Sequence, residues 1–321
     1  MTRVAAIDCG TNSIRLLVAE ADRHTGVIKD LDRRMKIVRL GQDVDRTGRL
    51  APEALERTFA ACREYAEVIR ELGVGGPPAE GRGSVRFVAT SASRDAENRD
   101  EFVRGVLDIL GVEPEVITGD EEAEFSFIGA TRELAGRDYF AKPYLVVDIG
   151  GGSTEFVVGG DHVDAARSVD VGCVRMTERH LVRGGQVSDP PTPDQIAAIR
   201  ADIETALDLV AETVPLDQAR TLVGLAGSVT TVAAIALGLK EYDSSVIHHS
   251  RIGIDQVREI TDRLLSSTHA ERAAIPVLHP GRVDVIGAGA FVLLTIMERV
   301  GFAEVVVSEH DILDGIAWSV A

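Results

Sequence analysis

Asp8-Cys9-Gly10-Thr11-Asn12-Ser13 and, 140 residues further on, Asp148-Ile149-Gly150-Gly151-Gly152-Ser153-Thr154-Glu155 are two versions of one short motif. Each follows an apolar run, Val4-Ala5-Ala6-Ile7 or Tyr144-Leu145-Val146-Val147. Each precedes another, Ile14-Arg15-Leu16-Leu17-Val18 or Phe156-Val157-Val158. Short apolar runs bounded by turn residues read as strand, tight turn, strand. Glycine tolerates positive φ and close backbone approach, so the turn's N–H groups can converge on an anion. An aspartate where a strand ends suits a hard divalent cation bound to phosphate. One such turn could be an ordinary hairpin. Two of them, one in each half, predict a duplicated α/β fold that clamps phosphate between lobes.

The bulk properties agree. A chain of 321 residues has room for two domains with separate cores. Its 45% hydrophobic content is that of a globular protein, and no run reaches the roughly 18 to 20 apolar residues of a membrane span. The N-terminus meets Asp8 too early for a signal peptide. Cys9, Cys62 and Cys173 have neither metal nor disulfide spacing, which points to a reducing cytoplasm. A net charge of −17 argues against broad binding to DNA or to anionic membranes. A polyanionic substrate must then be met by local arginines and backbone donors.

Strands and helices alternate along the chain, the signature of α/β layers. A helix is expected from Pro52 to Gly73, a loop at Gly75–Gly83, a strand at Val85–Thr90 and a helix from about Ala96 to Leu110. A short strand at Glu115–Thr118 leads into a helix opened by Gly119-Asp120-Glu121-Glu122. In the second half, a long helix should end near Val214. Thr221–Ser228 reads as a strand entering a glycine turn, Val285–Val300 as an apolar helix and Ala303–Ser308 as the last strand. The expected lobes are 1–123 and 124–321, with a closing helix at about 310–321 packing back on the first.

The candidate chemical groups each have a bland alternative. Glu121 and Glu122 could simply complement the helix dipole. Either could also be the positioned carboxylate that water attack on phosphate requires. Ala226-Gly227-Ser228 could be a third phosphate cradle or a serine helix cap. Arg94 and Arg39 have the guanidinium fork that suits phosphate, or are solvated loop residues. His248-His249 lacks the spacing and the companion ligands of a zinc site and reads as loop or strand. Cys9 reads as a small buried residue.

The two motifs, with Gly119-Asp120-Glu121-Glu122-Ala123, Gly172-Cys173-Val174-Arg175, Ala226-Gly227-Ser228 and Val307-Ser308-Glu309 to Gly315, resemble the exopolyphosphatase / guanosine pentaphosphate phosphohydrolase (Ppx/GppA) family over nearly the whole chain. The resemblance implies a two-lobe actin-like fold of the sugar kinase and heat-shock-protein superfamily, ribonuclease H-like, with an active-site cleft between the lobes. It implies metal-dependent removal of terminal phosphate from inorganic polyphosphate or guanosine pentaphosphate. It places the catalytic glutamate at Glu122 and the motif arginine at Arg94. Asp148, with Asp8 and Glu155, would hold Mg²⁺ (or Mn²⁺). Gly10, Thr11, Asn12, Ser13, Gly150, Gly151, Gly152, Ser153, Gly227, Ser228 and Arg39 would bind phosphates. Cys9 stands where the family usually has an aliphatic residue, Thr11 where it often has serine, and His310 where many relatives carry arginine. Larger relatives add a helical C-terminal domain, so short polyphosphates are the expected substrates, and a homodimer is compatible with the reading. The rival readings are an ATP-dependent kinase or ATPase, and a polyphosphate sensor without catalysis.

Overall fold

The computed structural model describes residues 2–22, 27–75, 85–134, 140–183 and 186–321. Most of the expected Gly75–Gly83 loop, and Gly184-Gly185, lie outside them. The chain forms two compact units: Met1–Gly129 with Ile312–Ala321, and Ala130–Asp311. The lobe boundary read from the sequence, 123/124, falls in the same helix as the Gly129/Ala130 division.

In the first unit, β1 (Thr2–Cys9), β2 (Ser13–Asp22), β3 (Val27–Ile37), β4 (Val85–Ala89) and β5 (Glu115–Val116) form a sheet of order β3-β2-β1-β4-β5. The first three are antiparallel neighbours, and β4 and β5 run parallel to β1. The helices are α1 (Val44–Thr47), α2 (Pro52–Glu71), α3 (Ser91–Asp95), α4 (Arg99–Leu110), α5 (Gly119–Thr131, which runs across the division) and the closing α13 (Ile312–Ser319). Period-2 alternation sorts β1 between two cores. Ala5, Ile7 and Cys9 join Cys62, Tyr65, Phe102 and Val106 on one face. Val4 and Ala6 join Ile312, Leu313, Ile316 and Ala317 on the other. Each large apolar side chain that α13 buries contributes roughly 1.5–3 kcal/mol. Gly315 brings α13 so close to α5 that a Cβ there would overlap the Phe125 carbonyl.

One expected element is redrawn. The helix expected from Ala96 is α4, which starts only at Arg99, and the supposed loop that carries Arg94 is a separate helix, α3. The break is at Ala96, which is extended. The buried Asn98 side chain is spent on the Leu50 backbone, accepting from its N–H at 2.8 Å and donating to its C=O at 3.1 Å. A polar side chain engaged in this way holds its segment out of the helix.

The second unit repeats the plan. Its strands are β6 (Tyr144–Ile149), β7 (Thr154–Gly159), β8 (Val163–Val169), β11 (Thr221–Leu225), β12 (Arg251–Gly253) and β13 (Glu304–Val307), in the order β12-β13-β11-β6-β7-β8. The ribbon β9 (Val182–Arg183) and β10 (Gln186–Val187) stands apart. Its helices are α6 (Cys173–Met176), α7 (Pro193–Ala211), α8 (Ala226–Ala236), α9 (Ser244–Ile247), α10 (Ile254–Ser266), α11 (His269–Ala273) and α12 (Ile286–Val300). Read from β8, this sheet has the antiparallel triplet and parallel pair of the first, with β12 added at the edge. One large core unites β6, β7 and β11 with α7, α8, α10 and α12. The chain thus has the duplicated α/β architecture of actin-like, ribonuclease H-like proteins.

β11 does not enter a glycine turn as expected. It passes straight into α8 at Ala226, which takes the left-handed conformation at φ 64. A non-glycine residue is held there only by its surroundings. Gly227 is needed instead for space: a Cβ on it would overlap the Arg282 guanidinium.

Candidate active site

The two motif hairpins have the same register. Asp8 faces Arg15 and Cys9 faces Ile14; Asp148 faces Glu155 and Ile149 faces Thr154. In both turns the first glycine N–H donates to the serine carbonyl three places on in the motif: Gly10 to Ser13 and Gly150 to Ser153, each at 3.0 Å. None of Gly10, Gly150, Gly151 or Gly152 has a positive φ, so the turns do not use that freedom of glycine. At Gly150 the value is room. A Cβ on Gly150 would lie 3.0 Å from the Ser153 carbonyl.

In the first unit the turn is fastened by its carbonyls. Asn12 C=O accepts from the Val38 and Arg39 N–H groups at 3.0 and 2.9 Å, and Thr11 C=O accepts from Gly41 N–H at 2.9 Å. Arg39 reaches this position with a left-handed backbone, φ 50. Gly41 lies so close that a Cβ would overlap Thr11 Cγ2. The Thr11 and Ser91 hydroxyls share a hydrogen bond of 2.9 Å. Among the described residues, the Thr11 and Asn12 N–H groups and the buried Asn12 Oδ1 have no hydrogen-bond partner. Such N–H groups would be satisfied by an anion, and the acceptor Oδ1 by water or a hydrated cation.

The second turn is fastened in the same way. Cys173 N–H donates to Gly150 C=O at 3.0 Å, and Val174 and Arg175 N–H donate to Gly151 C=O at 2.9 and 3.1 Å. Arg175 Nε donates to Gly152 C=O at 2.8 Å. Gly172 permits the approach, since a Cβ there would overlap the Gly151 carbonyl. With the carbonyls drawn into α6, the Gly151, Gly152 and Ser153 N–H groups have no partner among the described residues. Such a row of amides can receive an anion.

Near this turn in the sheet, β11 runs parallel to β6, with Leu225 beside Asp148, and leads into α8. Ser228 is buried in the first turn of α8 and makes no cap. It contacts Cys173, whose thiol is pushed up by burial. Arg282, which sequence reasoning missed, lies over Gly227 and donates to Thr231 Oγ1 at 3.3 Å. No local motif marks it, because its place depends on a missing side chain 55 positions away.

The carboxylates differ in setting. Asp148 and Glu155 are both buried, and Ser168 Oγ donates to Glu155 Oε1 at 2.8 Å. Asp8 is equally buried, but Arg15 binds its Oδ2 through Nη2 at 2.6 Å and Nε at 2.9 Å. The glutamate pair separates cleanly. Glu121 is exposed, and its Oε2 accepts from the Thr118 N–H and hydroxyl at 2.8 and 2.9 Å, which lowers its pKa. It is a helix cap. Glu122 is 8% exposed, and Arg94 Nη1 donates to its Oε2 at 3.3 Å.

Over residues 17–320 the chain matches the model of the Ppx/GppA phosphatase family. It belongs to that family. Exopolyphosphatase 2 of Mycobacterium tuberculosis is 48% identical to it, over 100% of this chain and 99% of the relative. The guanosine-5'-triphosphate,3'-diphosphate pyrophosphatase of Aeromonas hydrophila is 28% identical, over 98% of this chain and 58% of that one. The crystal structure of an exopolyphosphatase-like protein, 46% identical, superposes with a TM-score of 0.89 over 99% of this chain and 98% of the other. Like other Ppx/GppA members, the chain is a phosphoanhydride hydrolase of metal-dependent type. Among the described residues, no helix is long and apolar enough to cross a membrane.

Proposed function

We propose that this Ppx/GppA member is a cytoplasmic exopolyphosphatase that releases terminal phosphate from inorganic polyphosphate and favours short chains. The observation that carries this reading is the division of labour in the glutamate pair. Glu121 is consumed by the helix cap, whereas Glu122 is buried and held by Arg94. The Arg94 contact fixes where that carboxylate sits. Glu122 is thus suited to orient the attacking water and take its proton. Arg94 would also meet charge developing on the transferred phosphoryl group. The amides of Thr11-Asn12 and of Gly151 to Ser153, with the first turn of α8 at Gly227-Ser228, would cradle phosphates, and Arg39 and Arg282 would add positive charge.

The donor set fits Mg²⁺ or Mn²⁺. Asp148 and Glu155 are buried carboxylates facing each other across one hairpin, the hard oxygen donors such ions take. Asp8, whose Oδ2 Arg15 already binds, would assist. The ion would supply Lewis-acid neutralisation of phosphate oxygens.

Phosphate release from polyphosphates of defined length and from guanosine pentaphosphate, measured side by side, tests the proposal. Release from short polyphosphate that is lost in Glu122→Gln and retained in Glu121→Gln supports it. Exclusive release from the pentaphosphate would favour the second reading, a guanosine pentaphosphate phosphohydrolase, which the likeness to the Aeromonas hydrophila relative supports.

A further inference from the structure

His248 was expected to lack companion ligands, yet the fold supplies two. Within the second unit, Glu133 at the end of the α5 segment and His310 after β13 both converge on it. His248 Nε2 lies 3.0 Å from Glu133 Oε2, and His310 Nδ1 lies 3.6 Å from Glu133 Oε1. One donor atom from each residue falls within 4.8 Å of the other two. The His248 and His310 rings are 4.6 Å apart, and His249 stacks on His248 at 3.6 Å. The site is held from behind. His249 has a left-handed backbone, φ 61, with its N–H bonded to Val307 C=O, and the Glu309 N–H donates to His248 Nδ1 at 3.1 Å. The Glu309 carboxylate is engaged elsewhere, by the Tyr242 hydroxyl at 2.6 Å.

We propose that Glu133, His248 and His310 form a binding site for a borderline divalent transition metal of the Zn²⁺ class, separate from the Asp148/Glu155 carboxylate pair. Two imidazole nitrogens and one carboxylate oxygen are the donors that Zn²⁺, Co²⁺ and Ni²⁺ prefer, and that Mg²⁺ does not. Three protein ligands leave a position for water. The contact with His248 Nε2 already turns the Glu133 carboxylate toward the cluster. Binding has a defined structural cost. Because Nδ1 of His248 accepts from the Glu309 amide, the Nε2–H faces Glu133 and must be displaced by the ion. The ring then carries its proton on Nδ1, and the Glu309 amide turns away. One backbone hydrogen bond is exchanged for a metal bond. Glu133 lies just past Gly129/Ala130 and His310 just before Asp311/Ile312, the two points where the chain passes between units.

Zn²⁺ titration of the full chain against a chromophoric chelator, with Co²⁺ absorption as a second reading, tests the site. One Zn²⁺ per chain should bind with unchanged affinity in Asp148→Asn. It should bind more weakly in His310→Ala and Glu133→Gln, by at least the roughly tenfold that losing even an outer-sphere partner costs. The visible Co²⁺ band of nitrogen ligation should vanish in His310→Ala. Glu133→Gln keeps the size and hydrogen-bonding reach of the side chain, so it reports ligation even if His310→Ala folds poorly. Equal Zn²⁺ affinity in wild type and Glu133→Gln, loss of binding in Asp148→Asn, or no Zn²⁺ binding at all would overturn the proposal.

Discussion

Arg94 Nη1 bridges the Ile117 carbonyl, at 3.0 Å, and the Glu122 carboxylate, at 3.3 Å. The guanidinium is therefore anchored to the backbone just ahead of α5 and positions the carboxylate that α5 presents. Its neighbour Glu121 points the other way, into the cap. Two adjacent acids of one motif thus have different chemical roles, decided by which one a backbone amide claims.

Glu122→Gln preserves shape and removes the base. Turnover should fall by about 10² to 10⁴, the usual cost of losing a general base, while polyphosphate binding persists. Glu121→Gln should keep near-normal turnover and lose only part of a cap, about 0.5–2 kcal/mol of stability. Steady-state rates and thermal melts of the two variants check this, and reversed results would mean that the other carboxylate is the base.

Asp148→Asn should raise the Mg²⁺ concentration needed for half-maximal rate and lower the maximal rate. Asp8→Asn should do so more mildly, because Arg15 already occupies Asp8 Oδ2. Activity measured across a Mg²⁺ titration distinguishes the two. Hydrolysis that persists in excess chelator would sink the metal assignment.

Two glycines should fail in different ways. A Cβ at Gly172 would meet backbone, the Gly151 carbonyl, so Gly172→Ala should cost about 1–3 kcal/mol of stability as an overpacked site. A Cβ at Gly227 would meet only the end of the Arg282 side chain, which can swing aside. Gly227→Ala should melt normally and lose phosphate affinity. Parallel melts and KM values read the difference.

Charge should set the preferred chain length. With a net charge of −17, long polyanions are repelled wherever local donors do not offset the field. Initial rates at equal chain-end concentration should favour short polyphosphates, and long-chain affinity should depend on ionic strength. A processive preference for the longest chains would require a binding surface of a different kind.

The hairpins were legible because period-2 apolar runs ending in Asp and Gly leave few alternatives, and their register followed from the alternation. Other features depend on long-range placement. That Asp8 is claimed by Arg15 and Asp148 faced by Glu155 follows from hairpin pairing, but which partner binds a metal does not show in composition. Arg282 and the companions of His248 come from segments that only the folded second sheet brings together. The break at Ala96 depends on Asn98 finding Leu50, a contact that no local propensity encodes. The left-handed Ala226 defied the rule that glycine takes such positions, because its neighbour Gly227 is needed for space.

The first unit is discontinuous, and this orders events during synthesis. Domains generally fold as they emerge, N-terminal first. Here the face of the sheet carrying Val4, Ala6, Leu17 and Val88 has no cover from α13 until residues 312–321 have been made. Meanwhile the contiguous residues 130–311 can complete their own core. The unit begun first is therefore finished last, and a ribosome stalled late in the message would present a bare apolar sheet to chaperones and proteases.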